Sequence, residues 1–262
     1  MLRHLGVPYA EFVLGNGAGL DSELIKLFAV HLGVRYEYVE TSWNTVIGDL
    51  TGKRVRPEGT EIEILDDVPV RGDIIANGLT ILPWRKKILD FSTPTFPSGV
   101  WLITRADSIL QPIKPTGKIA SDIVTVKSLL QDRFVLTVEN SCIDPNLHGI
   151  YATGANVILF DRQLNELAPA ILNKNAEACL LDVPDALIAL EKWPGKIKII
   201  GPISQPQEMG CGFAKDSPRL REKFNQFFDQ CKGDGVYRKL VQKHYPSVIS
   251  YFPAFFEKYE IR

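Results

Sequence analysis

The chain has 262 residues, which is longer than one hydrophobic core usually supports, so two lobes are expected. Hydrophobic residues make up 45% and charged residues 23% of the chain, as in an ordinary globular protein. The formal net charge is −1 and the basic clusters are short, which argues against a one-sided basic surface for nucleic acid.

The first part of the chain alternates strand-like and helical patterns. LRHLGV predicts a strand, and GLDSELIKLFAVHLG predicts a helix with Asp21 as its N-cap and Gly33 at its end. VRYEYV predicts the next strand, and WNTVIGDL predicts a short amphipathic helix that opens with Trp43. Residues 51–72 are polar and turn-rich, and we interpret them as a surface excursion that contains a hairpin. The apolar stripe of the first helix consists of Leu20, Leu24, Leu27, Phe28 and Leu32.

The segment NGLTILPWRKKILDFSTP follows this excursion. DIIANGLT predicts a strand that ends near Thr80, and Pro83 suits the first turn of the helix after it. Arg85 lies five positions after Thr80. An isolated arginine is usually a surface cation, so its function depends on the rest of the chain.

A second alternating series begins at GVWLITR. Strands are predicted at RFVLTVEN, ANVILF, EACLLD and KIKII, and helices at PNLHGIYATG, RQLNELAPAILN and PDALIALEKW. Alternating strands and helices predict a mainly parallel sheet flanked by helices, so the two series predict two α/β lobes. SPRLREKFNQFFDQCKGDG and DGVYRKLVQKHY predict two closing amphipathic helices.

Patterns typical of catalysis or of metal binding do not occur. The histidines show neither HxH nor HExxH spacing and the cysteines show no CxxC spacing, so no metal or other cofactor is expected. There is no GxSxG motif, and GNGAGLD lacks the spacing of a phosphate-binding loop. We therefore do not predict an enzyme. Acidic residues of the 51–72 excursion are interpreted as a solvated surface.

Several segments, in order from about Arg3 to Tyr245, resemble the extracytoplasmic solute-binding proteins of the polar amino-acid type (family 3). GLTILPWRKKILDFSTP is close to the family's most specific signature, T-x-T-x-x-R-x-x-x-x-D-F-S-x-P. The resemblance implies a two-lobe clamshell with the periplasmic binding protein type II fold. Lobe 1 would comprise residues 1–97 plus 211–262, and lobe 2 residues 98–210. The other matching segments are YAEF, GLDSELIKLFA, WNTVIGDL, LTVENSC, LLDVPDAL and the closing helices.

The resemblance also implies how a ligand is bound. Arg85 would form two charge-assisted hydrogen bonds with the α-carboxylate of an amino acid, supported by Thr80. Asp182 would pair with the α-ammonium from the other lobe, so the ligand would favour the closed clamshell; the alternative for Asp182 is a helix cap. Further ligand contacts are implied for Asn77, Gly78, Ser141 and Cys142, and for Tyr9 and Trp43, which would otherwise be core residues.

The chain departs from the family pattern at two positions of this site. Gly6 stands where many binders of cationic amino acids have an acidic residue, and Cys142 replaces the usual threonine or serine at a helix start. Because a buried ammonium without a partner is costly, we expect a neutral ligand. Glu11 is the nearby acid that could turn inward and restore a cation site. If a disulfide forms, Cys211–Cys231 is the expected pair, and Cys142 should stay a free thiol.

Taken as a family member, the chain is expected to be a periplasmic or extracytoplasmic monomer that captures an α-amino acid between its lobes for an ABC permease. MLRH is not a signal peptide, so the leader would be absent from this chain. Two alternatives stay open. One is the input domain of a sensor kinase, fused to a membrane signalling domain. The other is the regulatory module of a membrane-bound lytic transglycosylase, which the tail YPSVISYFPAFFEKYEIR resembles.

Overall fold

The computed structural model describes residues 1–15 and 17–261, so Asn16 of the GNGAGLD segment and Arg262 lie outside the described residues. The chain forms two compact units. Unit 1 consists of Met1–Pro97 and Glu208–Arg262, and unit 2 consists of Ser98–Gln207. The chain therefore leaves unit 1 after Pro97 and re-enters it at Glu208.

In chain order the strands are β1 (Leu2–Gly6), β2 (Tyr36–Glu40), β3 (Lys53–Glu58), β4 (Glu61–Asp67), β5 (Ile74–Ile75), β6 (Leu89–Phe91), β7 (Phe96–Ser98), β8 (Val100–Arg105), β9 (Phe134–Thr137), β10 (Asn156–Leu159), β11 (Ala178–Asp182), β12 (Ile197–Pro202), β13 (Gln207–Met209) and β14 (Gly212–Ala214). The helices are α1 (Leu20–His31), α2 (Val46–Thr51), α3 (Pro83–Ile88), α4 (Ile119–Ser128), α5 (Leu167–Leu172), α6 (Val183–Lys192), α7 (Pro218–Gly233), α8 (Val236–His244), α9 (Val248–Tyr251) and α10 (Pro253–Lys258).

The sheet of unit 1 has the strand order β2-β1-β5-β14-β6. β1 is parallel to β2 and β5, whereas β14 is antiparallel to both β5 and β6. Four strands thus run in one direction, and β14 runs against them. The prediction of a mainly parallel sheet is confirmed for this unit. Loops at the carboxyl end of such a sheet commonly hold ligands.

Unit 2 contains a sheet of the same design, with the order β10-β9-β11-β8-β12. β9 is parallel to β10 and β11, and β8 is antiparallel to β11 and β12. β8 is the first strand of this sheet to form after the chain enters unit 2. Likewise, β14 is the first strand that joins the sheet of unit 1 after the chain re-enters unit 1 at Glu208. In both sheets the reversed strand therefore follows a passage between the units.

Helices α1, α7 and α8 share an aromatic core in unit 1. The Phe28 ring of α1 lies 5.2 Å from Phe224 of α7, and Phe228 lies 4.7 Å from Tyr237 of α8. Burying an aromatic side chain of this size contributes about 1.5–3 kcal/mol. The predicted stripe of α1 is nearly correct, but Leu27 is exposed and Leu32 is half-buried. The buried apolar residues of the helix are Leu20, Leu24, Ile25, Phe28 and Ala29.

The excursion forms the predicted hairpin, in which β3 pairs with β4 in antiparallel fashion. Its cross-strand ion pairs are exposed, so each contributes about 0–1 kcal/mol. Val55 and Ile62 of the hairpin pack against the core of unit 1. The acidic residues are therefore surface partners of basic ones, as interpreted from the sequence. The pairs are Lys53–Asp67, Arg54–Asp66 and Arg56–Glu63.

Three local predictions in unit 1 are wrong. The strand predicted to reach Thr80 ends at Ile75, because the left-handed backbone of Gly78 interrupts the extended run. The N-cap of α1 is Gly19, so Asp21 lies inside the first turn instead of capping it. Helix α2 begins at Val46, and Trp43 therefore precedes it.

Helical segments of unit 2 and the tail also differ from the predictions. PNLHGIYATG forms only a 3-10 turn at Tyr151–Thr153, because proline and two glycines interrupt it. Helix α4 was not predicted, since its sequence IASDIVTVKS is rich in β-branched residues with low helix propensity. Helices α9 and α10 of the tail were not predicted either.

All four cysteines are buried, and none of them forms a disulfide. Cys211 and Cys231, the pair expected if a disulfide forms, are therefore not linked, and the prediction that Cys142 stays outside any disulfide is confirmed. Among residues 1–15 and 17–261, no helix combines the length and the apolar character needed to cross a membrane.

Candidate functional site

The chain that follows β5 carries three predicted ligand residues, Asn77, Gly78 and Thr80. Gly78 has φ +68°, and a Cβ added to it would lie 2.4 Å from the Phe12 ring. Only glycine fits there without strain. The Gly78 N–H donates to Asp21 Oδ2 at 2.7 Å. This N–H is thus bound by the protein itself, and it fixes the bend at the carboxyl end of β5.

Asp21 anchors this bend, a function that the sequence analysis missed. The side chain is buried, and burial raises its pKa to about 7, although the hydrogen bond from Gly78 opposes the rise. Oδ1 has no hydrogen-bond partner among the described residues. The loop is therefore held by a carboxyl group that changes its charge near neutral pH.

Asn77 is fully buried next to this bend. Within the described part of the chain, neither its Oδ1 nor its Nδ2 has a hydrogen-bond partner. Leaving a buried polar group unsatisfied costs about 1–3 kcal/mol. Asn77 is therefore a candidate for a contact to a polar ligand or an ordered water.

Pro83 begins α3 as predicted, and Arg85 in the same turn is only 5% exposed. Its Nη1 donates to the Thr80 carbonyl at 2.8 Å, and the guanidinium carbon lies 5.2 Å from the centre of the Trp84 ring. Thr80 pairs with Met209 in an isolated antiparallel bridge. Arg85 is therefore not a surface cation. Its guanidinium is buried and oriented, as binding a carboxylate requires.

Tyr9 and Trp43 contact each other edge to face, with their ring centres 5.5 Å apart. Tyr9 is buried and stacks on Phe12 at 6.1 Å. Trp43 is half-buried and packs on a core cluster that includes Val46 and Ile47. Tyr9 thus belongs to the core of unit 1, while Trp43 also keeps part of its surface exposed.

In unit 2, Asp182 is the last residue of β11 and the N-cap of α6. Its Oδ1 accepts the Asp185 N–H at 3.4 Å. The Cys142 thiol lies 3.5 Å from its Oδ2. The cap interpretation is therefore correct. It does not exclude contact with a ligand, since a carboxylate has about four acceptor positions.

Ser141 and Cys142 lie in the turns that follow β9, and no helix begins there, contrary to the prediction. The Ser141 hydroxyl donates to the Val138 carbonyl at 2.7 Å and accepts the Ile143 N–H at 3.1 Å. The Cys142 carbonyl accepts a hydrogen bond from the His148 ring at 2.7 Å. Burial lowers the pKa of His148, so its neutral ring holds this loop.

Asp185 is a second buried carboxyl group beside Asp182. Burial, and then the charge of Asp182, raise the pKa of Asp185 well above its usual value. Asp185 therefore favours its neutral form next to Asp182. Asp185 is not among the residues predicted from the sequence, although an acidic residue in the first turn after a strand-ending aspartate is a signal for such a pair.

Two positions bear on the charge of a ligand. A Cβ at Gly6 would lie 2.4 Å from the Tyr38 ring, and the Tyr38 hydroxyl donates to the Gly6 carbonyl at 3.2 Å. The tyrosine thus fills the space that a side chain at position 6 would need. Glu11 Oε2 lies 3.6 Å from His244 Nδ1, and His244 also contacts Glu23 at 3.1 Å. The Glu11 carboxylate is therefore directed towards α8.

A cavity of about 550 Å³ lies elsewhere in unit 1, and its lining contains none of the predicted ligand residues. We therefore do not include it in the candidate site. The cavity lining includes Leu2, Leu32, Val34, Leu50 and Leu220.

In the part of the chain that the structure describes, no group of three or more His, Cys, Asp or Glu residues could hold a metal ion.

Comparison with protein families places a match over residues 70–247, more than half of the chain. The matching family is described as bacterial extracellular solute-binding proteins, family 3.

Individual relatives are distant but extend along most of the chain. The chain is 26% identical to membrane-bound lytic murein transglycosylase F of Desulfosudis oleivorans over 88% of its own length, and it spans only 44% of that protein. It is 25% identical to a probable amino-acid ABC transporter-binding protein of Haemophilus influenzae, over 88% of this chain and 79% of the relative.

Among solved structures, the P235GK mutant of ArgBP from T. maritima is similar to the chain, with a TM-score of 0.71 and 25% identity. The similarity covers 94% of this chain and 95% of the other. The two-unit α/β architecture is therefore a known fold.

Proposed function

The chain belongs to the bacterial extracellular solute-binding proteins, family 3, and we propose that it captures an α-amino acid outside the cytoplasm for delivery to an ABC importer. The name of the Haemophilus influenzae relative supports both the class of ligand and the importer. The single observation that carries the proposal is Arg85, a buried guanidinium held at 2.8 Å by the Thr80 carbonyl. A guanidinium that is buried and oriented in this way matches a carboxylate through two parallel hydrogen bonds.

We assign the α-carboxylate of the ligand to Arg85 in unit 1 and its α-ammonium to Asp182 in unit 2. A planar guanidinium matches a carboxylate through two parallel hydrogen bonds, which a lysine would not reproduce. Asp182 lies at the carboxyl end of β11, and a carboxylate there would suit an ammonium. Further contacts are proposed for Asn77, Gly78, Thr80, Ser141 and Cys142, and contacts to the ligand side chain for Tyr9 and Trp43.

We further propose that the ligand is neutral. Tyr38 occupies the space beside Gly6, so no acidic side chain fits at this position without moving the ring. Glu11 is engaged with His244 at 3.6 Å. A cationic side chain would therefore lack the carboxylate that its burial requires. Competition calorimetry in which lysine or arginine binds more tightly than glutamine, leucine and phenylalanine would refute this part.

A thermal-shift screen against the amino acids, followed by calorimetry, tests the function, because a ligand far above its Kd raises the melting temperature. Arg85→Ala should weaken binding by about 2–5 kcal/mol, the usual effect of removing one partner of a buried charge pair. Arg85→Lys should also weaken it. Arg35→Ala, at an exposed ion pair with Glu37, is the matched control and should bind like wild type. An Arg85→Ala affinity within a few-fold of wild type would exclude the assignment.

The similarity to the lytic murein transglycosylase supports a second candidate, a ligand-binding module of a larger enzyme. The chain spans 44% of that relative, so the activity of the whole relative is not carried over. Soluble murein fragments in the same thermal-shift screen distinguish the two candidates. Stabilisation by murein fragments and by no free amino acid would favour the module. We expect a monomer in either case, which light scattering after size-exclusion chromatography would check.

A further inference from the structure

The tail after residue 247 lies beyond the segment that the family comparison matches. It forms α9 and α10, and it is docked on unit 1 through Val248, Phe256 and Ile261, which are buried. Arg238 of α8 donates to the Ile261 carbonyl at 3.2 Å. The tail is thus an ordered part of unit 1.

The end of this tail contacts the residue at which the chain re-enters unit 1. The Tyr259 hydroxyl donates to Glu208 Oε1 at 2.7 Å, and Lys258 Nζ lies 2.9 Å from the same oxygen. The Lys258 side chain is 62% exposed, so its ion pair contributes little. The hydrogen bond from Tyr259 is short and directed at a charged acceptor, which makes it the stronger of the two contacts.

The main chain around Glu208 binds the segment that carries Thr80. The Glu208 carbonyl accepts the Ile81 N–H at 2.9 Å, and the Gly210 N–H donates to the Leu79 carbonyl at 3.1 Å. Between these two bonds, Met209 forms the isolated bridge with Thr80. Glu208 therefore links the tail to the peptide whose carbonyl holds Arg85.

We propose that Tyr259, acting through Glu208, is a positioning residue for the Thr80–Arg85 pair, so that the tail sets the affinity for the ligand carboxylate. The identity of the ligand rests on the proposed function. The series of hydrogen bonds from Tyr259 through Glu208 to Ile81 is independent of the proposed function. Binding sites lose affinity when the residues that support their contact groups loosen. Thr80 lies outside the five-stranded sheet, and the main-chain bonds of its neighbours Leu79 and Ile81 to the 208–210 segment fix its position, so a shift of Glu208 should reach Thr80 directly.

Amide hydrogen exchange tests the link without any ligand. In Tyr259→Phe, the Ile81 amide should exchange about three- to tenfold faster than in wild type. This is the effect expected when the hydrogen bond from Tyr259 to the partly exposed Glu208 carboxylate is removed. Amides in β1 and α7 should exchange as in wild type. Tyr151→Phe, at an exposed tyrosine of unit 2, is the matched control. Equal acceleration of all amides would show a merely structural effect and would overturn the proposal, as would an unchanged Ile81.

Calorimetry with L-glutamine, L-leucine and L-phenylalanine tests the effect on binding. Tyr259→Phe and Glu208→Ala should each raise the Kd of the ligand that wild type binds by about three- to tenfold, and the double variant should be no weaker than Glu208→Ala. Glu208→Gln keeps an acceptor for Tyr259 and should bind nearly like wild type. Additive losses, or an unchanged Kd in both single variants, would overturn the proposal. If wild type binds none of the three amino acids, the result counts against the proposed neutral ligand. The exchange rate of the Ile81 amide then tests the connection between Tyr259 and Ile81 by itself.

Discussion

Replacing Asp21 with asparagine should change how the stability of the fold depends on pH. Burial raises the pKa of Asp21 from its usual 3.8 to about 7, so between these values the folded state binds one more proton than the unfolded state. The stability of the wild type therefore falls as the pH rises through this window. Asparagine does not titrate and still offers an oxygen to the Gly78 N–H, so the variant avoids this loss.

The magnitude follows from the two pKa values. Each pH unit between the folded and unfolded pKa corresponds to about 1.36 kcal/mol. The gap from 3.8 to about 7 therefore corresponds to about 4 kcal/mol. The difference in free energy of unfolding, Asp21→Asn minus wild type, should therefore increase by about 4 kcal/mol between about pH 4 and pH 8.

His4 titrates in the opposite sense and makes the comparison sharper. Its ring contacts the Tyr36 hydroxyl at 2.9 Å and the Ala76 carbonyl at 2.6 Å, and burial lowers its pKa from 6.5 to about 4. Here the unfolded state binds the extra proton, so stability is lost as the pH falls from 6.5 towards 4. In wild type the two effects oppose each other. In Asp21→Asn the contribution of His4 remains, so stability should rise steeply over this window.

Urea denaturation of both proteins at about pH 4, 5.5 and 8 measures these differences. Asp67→Asn, at an exposed carboxylate of the hairpin, is the matched control, and its profile should run parallel to that of wild type. A difference between Asp21→Asn and wild type that stays constant with pH would refute the conclusion that burial keeps Asp21 protonated.

Three further substitutions test the site. Gly78→Ala should destabilise the fold by about 1–3 kcal/mol in urea denaturation, because the left-handed backbone and the Phe12 ring leave no room for a Cβ; an unchanged midpoint would contradict this. Asp182→Asn should weaken amino-acid binding in calorimetry by about 2–5 kcal/mol, yet it should leave the melting temperature nearly unchanged, since asparagine caps helices as well as aspartate does. Unchanged affinity would exclude Asp182 as the ammonium partner. Cys142→Ser should bind ligand at least as tightly as wild type, because a hydroxyl is the better donor to Asp182, and a large rise in Kd would show that the thiol itself is required.

Local patterns in the sequence determined the α/β class, the hairpin at 51–72 and most of the helices and strands. The alternation in VRYEYV is a local signal for β2. The helical pattern of α7 is another, because its apolar residues Phe224, Phe227, Phe228 and Cys231 form one buried stripe. Pro83 at the start of α3 is a similar local signal. The resemblance that rests on GLTILPWRKKILDFSTP was confirmed at the level of the family.

Only the tertiary structure decided which side chains meet. Asp21 and Gly78 are 57 positions apart in the chain and Tyr259 and Glu208 are 51 apart, so no local period connects the members of either pair. β5 is short because Gly78 turns the chain, and Gly78 turns it because Asp21 binds its N–H and Phe12 leaves no room for a side chain. Hydrophobic periodicity records which face of an element is buried, but it does not record the partner that satisfies a buried polar atom, since that partner is brought in by the fold.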